Sequence, residues 1–165
     1  MPDHDVRLQQ LSAWLGEQLE NLFRNNAWGE VPEGTLTAAS SDASFRRYFR
    51  WEGAGHSFVI MDAPPPQENC APFVAIDHLL ASARVNVPVI HAQDLPCGFP
   101  LLGDLGRPTY LDVIDSDNAD ALFSNAIHAL LALQPPPIVA PLPSYDAALL
   151  RREWRLSPAQ ALRVR

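Results

Sequence analysis

The sequence predicts an α+β fold on three observations. Apolar residues recur first at helical spacing, then with period 2, then at helical spacing again; the period-2 runs are short and joined by Gly-containing turns; and proline clusters separate them from the helices that follow. From Val6 to Phe23, Leu8, Leu11, Leu15, Leu19 and Leu22 form one stripe, flanked by Trp14 and opposed by Gln10, Glu17 and Glu20, so an amphipathic helix opens the chain. Asn25, Asn26, Gly29, Pro32 and Gly34 break it. Thr35 to Ala39 reads as a strand entering a small polar turn, Ser40 to Ser44, followed by a strand from Phe45 to Glu52, a turn at Gly53 to Gly55 and a third strand from His56 to Met61. The short connections make these three strands an antiparallel meander.

Asp62 to Gln67 contains three consecutive prolines, which remove ladder donors, so it is expected as a rigid extended connector. Pro72 suits a first helical residue, and Phe73, Ile76, Leu79 and Leu80 mark the buried stripe of a helix to about Arg84, with Val74 an optional member at its edge. Val87 to Ala92 and Phe99 to Leu102 read as a fourth and a fifth strand around a Pro-Cys-Gly turn. After Gly103-Asp104-Leu105-Gly106 come a short helical piece with Tyr110, Leu111, Val113 and Ile114, then a helix from about Asn118 to Leu133, capped by Asp117 or Asn118, with Leu122, Phe123, Ile127, Leu130 and Leu131 on its apolar face. Pro135 to Pro137 stop it, and Tyr145 to about Leu156 is expected as one more helix.

The 165 residues suffice for one ordinary domain or for part of a two-lobed protein. The acidic start, MPDHDVR, and the lack of any bilayer-length apolar run lead to the expectation of a cytoplasmic protein without membrane attachment. Cys70 and Cys97 show neither a CxxC motif nor zinc-ligand spacing and are read as reduced thiols. All 12 basic residues are arginine, so no chemistry that needs a lysine can come from this sequence. The net charge of -7 argues against nucleic acid as a partner. It is unevenly spread: residues 1–150 carry 7 Arg against 18 Asp and Glu, a net of -11, whereas residues 151–165 carry 5 Arg against one Glu, a net of +4.

The densest chemistry lies in Ser40 to Trp51, SSDASFRRYFRW. On a strand, Phe45, Arg47, Phe49 and Trp51 face one way while Arg46, Tyr48 and Arg50 face the other. A turn of small residues followed by guanidiniums suits an anion, because backbone N–H groups can approach phosphate oxygens and each guanidinium is a fixed fork of donors. The same residues also suit a solvated hairpin whose arginines lie over aromatic rings.

The strings SSDASFRRYFRW, SFVIMDAPPPQENCAPFVAI, VPVIHAQDL and GFPLLGDLGRPTYLDVI resemble the aminoglycoside phosphotransferase-like kinases, most of all the bacterial branch acting on the anomeric hydroxyl of N-acetylmuramate and N-acetylglucosamine in cell-wall recycling. The resemblance runs from about residue 8 to residue 156. It implies a protein-kinase-like small lobe, a five-stranded antiparallel sheet plus helix, over residues 1–103, and a hinge with the first helices of an incomplete helical large lobe over 104–156. Residues 157–165 form an atypical basic tail, expected to mark a truncation or a frameshift. ATP and Mg²⁺ are the implied cofactors of the complete enzyme, and an amino sugar its substrate. Ser41, Asp42 and Ser44 match the loop over the nucleotide phosphates, with Arg46, Arg47 and Arg50 following, and Asp104 and Leu105 lie in the hinge that reads adenine. Kinases of this class place a cation on the third strand, paired with a helix carboxylate. Met61 occupies that position here, so Arg46, Arg47 or Arg50 must substitute, with Glu68 or Asp77 as the carboxylate.

The HGD catalytic loop and the second metal-binding Asp of the family do not occur in the sequence, so no catalytic base and no metal ligand are assigned and the chain alone is expected to be inactive. His128 is read as an ordinary helix histidine, Asp115 and Asp117 as a helix cap, and His91 and Asp94 as surface residues. The alternatives are a non-catalytic module that binds nucleotide or protein through a kinase-like small lobe, and an unstable fragment with an exposed apolar face.

Overall fold

The computed structural model describes residues 2–41, 45–134, 146–148, 150 and 151, with backbone only at 2–5, 40 and 41. The chain divides into two compact units, Met1–Pro135 and Pro136–Arg165. In the second, residues 147, 148, 150 and 151 are helical, within the helix expected from Tyr145, while the tail 157–165 lies outside the described residues.

The first unit runs α1 (Pro2–Asn25), β1 (Thr35–Ser41), β2 (Arg47–Gly53), β3 (His56–Asp62), α2 (Ala71–Ser82), β4 (Ile90–Asp94), β5 (Phe99–Gly103), α3 (Tyr110–Val113) and α4 (Ala119–Ala132). The five strands form one sheet in the order β1-β2-β3-β5-β4, with every neighbouring pair antiparallel. This is the sheet expected of a kinase-like small lobe. The hairpin from β2 to β3 closes at Gly53 opposite His56, across Ala54 and Gly55, whose φ angles of 44° and 83° give the left-handed pair that matches the right-handed strand twist. The register shifts between Ala38 and Ser40 in β1 and between Ile90 and Ala92 in β4.

Alternation in β2 divides the core. Trp51, and with it Phe49, packs with Leu11, Leu15, Leu19 and Phe23 of α1 and with Phe58, Ile60, Phe99 and Leu101. Tyr48 faces the other way, onto Met61, Ala63, Cys70 and Leu102, where Phe73 of α2 also packs. Helix α1 therefore covers one face of the sheet and α2 part of the other. The expected stripe on α1 buries Leu11, Leu15 and Leu19, but its last buried position is Phe23 rather than Leu22, which packs at the edge, and Leu8 is only half-buried. Trp14 beside it meets Phe99 at a ring separation of 5.8 Å.

Several expectations need correction. The connector 62–67 is not extended: residues 65–67 turn, the Pro65-Pro66 bond is cis, and the Glu68 N–H closes onto the Pro64 carbonyl at 3.0 Å. Helix α2 buries Val74 and Asp77 rather than Ile76, which is 38% exposed, so its inward face is rotated away from the most apolar stripe. It ends before Arg84, whose φ of 61° leaves the helical region. Strand β4 begins at Ile90 rather than Val87, because Pro88 has no N–H to donate to a ladder. Phe45 precedes β2 and is exposed.

Helix α4 has no buried residue, and its apolar face, including Phe123, Ile127, Leu130 and Leu131, is exposed. Asn118 is its N-cap; Asp115 accepts the N–H groups of Asp117 and Asn118 at 2.9 Å, so these acidic residues build a turn before the helix. No helix among the described residues is long and apolar enough to cross a membrane.

Candidate functional site

The face of the sheet opposite α1, together with the segment that leaves β5, encloses a cleft of about 490 Å³. Tyr48, Val59, Phe73 and Leu102 give it apolar walls, while Arg50 and residues 103–107 form its polar rim. Antiparallel registry explains this grouping: Arg50 of β2 lies opposite Val59 of β3, and Val59 lies opposite Leu102 of β5, so the three share one cross-strand row.

From that row Arg50 reaches past β3 to the chain after β5. Its Nε donates to Asp104 Oδ2 at 2.7 Å, and its Nη2 to Asp104 Oδ1 at 3.0 Å and to the Gly106 carbonyl at 3.3 Å. Asp104 also accepts the Ser57 hydroxyl at 2.5 Å and the Gly106 N–H at 2.9 Å. Arg50, then Ser57 and Gly106, hold the Asp104 carboxyl well below the usual carboxylate range, against the opposing effect of burial. Asp104 in turn pushes the Arg50 guanidinium up. Leu105, at the tip, is exposed, and its backbone N–H makes no hydrogen bond among the described residues.

The three arginines among which the sequence does not choose go to three different carboxylates. Arg46 donates through Nε to Glu68 Oε2 at 2.9 Å, and the same carboxylate accepts the Phe45 N–H at 3.2 Å. Arg46 thus ties the entry of β2 to the turn before α2, at the edge of an adjoining cavity of about 380 Å³ that it lines with Phe73, Ile76, Asp77 and Leu80. Phe73 and Pro88 border both cavities. Arg47 lies on the α1 face, where its Nε and Nη2 donate to Asp62. Arg7 of α1 donates to the other oxygen of Asp62 at 2.6 Å and to the Cys97 carbonyl at 2.7 Å. The structure therefore brings Arg50, Asp104 and Leu105 together at the cleft, places Arg46 beside it, and puts Arg47 on the opposite face.

Ser41 ends β1 with its backbone opposite Arg47, while Asp42 and Ser44 lie outside the described residues. Met61 is fully buried in the apolar cluster under α2, so the third strand offers no cation there. Asp77 is more than nine-tenths buried and makes no ion pair among the described residues, so of the two candidate carboxylates it is Glu68 that holds an arginine. Ser57 and Asp62 had no visible signal in the sequence, because their partners lie 47 and 15 residues away. Among the described residues no group of three or more His, Cys, Asp or Glu side chains could hold a metal ion. The apolar walls and the Leu105 N–H, which has no partner among the described residues, would suit a planar, hydrogen-bonding base.

Comparison with known proteins agrees with this architecture. The sequence profile of the phosphotransferase enzyme family matches residues 35–165. The chain is 77% identical over 158 residues to the N-acetylmuramate/N-acetylglucosamine kinase of Pseudomonas putida, covering 96% of this chain and 47% of that protein. It is 58% identical over 154 residues to the protein of that name from Pseudomonas aeruginosa, covering 93% and 46%. To the one from Neisseria meningitidis serogroup B it is 39% identical over 128 residues, covering 74% and 38%. The chain spans about half the length of the curated relatives it matches, and it belongs to the phosphotransferase enzyme family.

Proposed function

We propose that this chain is the N-terminal, nucleotide-binding part of an ATP-dependent sugar kinase that phosphorylates the anomeric hydroxyl of N-acetylmuramate or N-acetylglucosamine in peptidoglycan recycling. Residues 1–103 serve as the small lobe, and 104–156 as the hinge and the start of the helical lobe. The observation that carries the nucleotide half of this reading is the cleft beside residues 102–106, where an apolar slot meets the unspent N–H of Leu105. The sugar is carried by the names of relatives up to 77% identical.

In this reading the base lies between Tyr48, Val59 and Leu102 and is read by the backbone of Asp104 and Leu105. The phosphates run toward Ser41, Asp42 and Ser44, with Arg46 as their cation. Support for Arg46 comes from its pairing with Glu68, in the segment just before α2, a cation–carboxylate pair analogous to the one kinases use to hold α and β phosphates although its carboxylate is not on the helix itself. Mg²⁺ bound with the nucleotide would supply charge neutralisation at the phosphates; the chain contains no HGD segment to orient the attacking hydroxyl, and phosphoryl transfer depends on positioning. The exposed apolar stripe of α4 supports a helical lobe that packs against further chain in the complete kinase. The protein acts in the cytoplasm, where ATP is available.

A thermal-shift titration with Mg-ATP tests the reading, since a ligand that binds only the native state stabilises it by about 2.7 kcal/mol at a concentration 100 times its Kd. A rising midpoint is expected. An unchanged midpoint at millimolar Mg-ATP would remove the nucleotide site, and turnover of ATP with N-acetylmuramate by this chain alone would remove the claim that it is inactive by itself.

A further inference from the structure

Three chain segments meet at one carboxylate on the rim of the cleft. Asp104 accepts from Arg50 Nε and Nη2, from the Ser57 hydroxyl and from the Gly106 N–H, at 2.7, 3.0, 2.5 and 2.9 Å. A carboxylate has about four lone-pair sites, so its acceptor capacity is filled. The Arg50 guanidinium presents the matching fork and adds a third bond, to the Gly106 carbonyl at 3.3 Å. The two side chains are only 11% and 10% exposed. The loop between Asp104 and Gly106 is therefore held at both ends, by its first side chain and its last carbonyl. Leu105, with the free N–H, is the residue between them.

We propose that Arg50 is a positioning residue for base recognition rather than a phosphate ligand: with Asp104 and Ser57 it clamps residues 104–106 so that the Leu105 N–H is presented to the base of the nucleotide. The inference rests on the nucleotide site proposed above, and it separates two arginines that sequence reasoning treats alike. Arg46 acts on phosphates and Arg50 acts on the base. A guanidinium already committed on two edges to a neighbouring carboxylate and a carbonyl is a poor phosphate anchor, because a phosphate would have to displace a near-ideal bidentate pair.

The two roles differ in how binding depends on the ligand. A phosphate ligand contributes little to adenosine and progressively more to ADP and ATP. A clamp on the hinge contributes to all three equally, because all carry the same base. The experiment titrates adenosine, ADP and Mg-ATP by calorimetry against the 165-residue chain and its Arg50→Met and Arg50→Lys variants. The clamp predicts that Arg50→Met weakens all three by the same factor, about tenfold. Arg50→Lys, which keeps the charge and loses the fork, should fail to restore them. A loss confined to ADP and ATP, with rescue by lysine, would overturn the proposal.

Amide hydrogen exchange without ligand provides the second measurement. The Gly106 N–H, bonded to Asp104, should exchange at least about tenfold faster in Arg50→Met and more modestly faster in Ser57→Ala, the milder variant if Arg50→Met does not fold. Unchanged Gly106 exchange overturns the clamp. If the unsubstituted chain binds neither adenosine nor Mg-ATP while Gly106 responds as expected, the nucleotide site is refuted, and with it the base-presenting role, while the clamp itself stands.

Discussion

Strand β2 carries two guanidinium–carboxylate pairs on opposite faces, Arg47 with both donors on one oxygen of Asp62 and Arg50 forked onto both oxygens of Asp104, and their surroundings give them different work. Arg47 reaches across to Asp62 on the face covered by α1, where Asp62 is fully buried and shared with Arg7. Arg50 reaches Asp104 on the open face, at the rim of a cleft. The first pair joins α1, β2, β3 and, through the Cys97 carbonyl, the turn from β4 to β5. Its loss should be felt by the fold. The second pair holds a short loop with an unspent backbone donor, so its loss should be felt by whatever that loop binds. Residue type alone does not separate an anchor from a site; the face of the strand and what covers it do.

The comparison is most easily broken at Asp62. Asp62→Ala leaves two guanidiniums at a largely buried position without their shared carboxylate and should cost about 3 kcal/mol of unfolding free energy, read as a lower urea midpoint with unchanged slope. If Asp62→Ala were as mild as Asp104→Asn, the anchor would not be one. Asp104→Asn keeps the shape and removes the charge, and should cost about 1–2 kcal/mol by the same urea midpoints. Its pH dependence sharpens the contrast. The folded Asp104 carboxyl titrates below its unfolded value, so its stabilisation is fully present above about pH 4 and is lost as the pH falls toward the folded value. The stability difference between the natural chain and Asp104→Asn should stay constant from pH 7 to about 5 and shrink below about 4; a difference that shrinks already near neutrality would contradict the depressed carboxyl. Arg46→Gln should weaken ADP and Mg-ATP but not adenosine, with about 1 kcal/mol of stability lost through Glu68, measured by parallel titrations and melts. The smallest effect belongs to Arg107→Ala, whose pair with Glu52 is 63% and 42% exposed, and which should change stability by no more than about 0.5 kcal/mol.

Much of this arrangement was legible in the sequence because it depends on local periodicity. The α1 positions Leu11, Leu15 and Leu19, the succession of strands along the chain and the alternation that puts Tyr48 and Arg50 opposite Phe49 and Trp51 all follow from repeats of 3.6 and 2, whereas the order of the strands across the sheet does not. The distribution of the arginines did not follow, because Arg50 and Asp104 are 54 residues apart and Arg7 and Asp62 are 55 apart, and nothing local to either partner marks the pair. Glu68 and Asp77 were both legible as candidate carboxylates, but the choice between them was not: it is made by the turn at 65–67, which brings Glu68 back to Arg46. In α2 the inward side was misread because Asp77, a charged residue, is buried and Ile76 is exposed, the reverse of what apolar spacing expects. Asp104 and Leu105 were singled out only through family resemblance, since a Gly-Asp-Leu-Gly string by itself reads as a turn.

The register shifts in β1 and β4 have a consequence beyond the cleft. These are the two outermost strands of the sheet, and an outer strand with a straight, unpaired ladder is a template for another chain to add onto. An extra residue in each, near Ala38 and near Ile90, bends the backbone and breaks the even spacing of donors and acceptors along the free edge. A flat strand from a second molecule would lose its match beside each bulge, so among the described residues both outer strands are poor templates for a sixth.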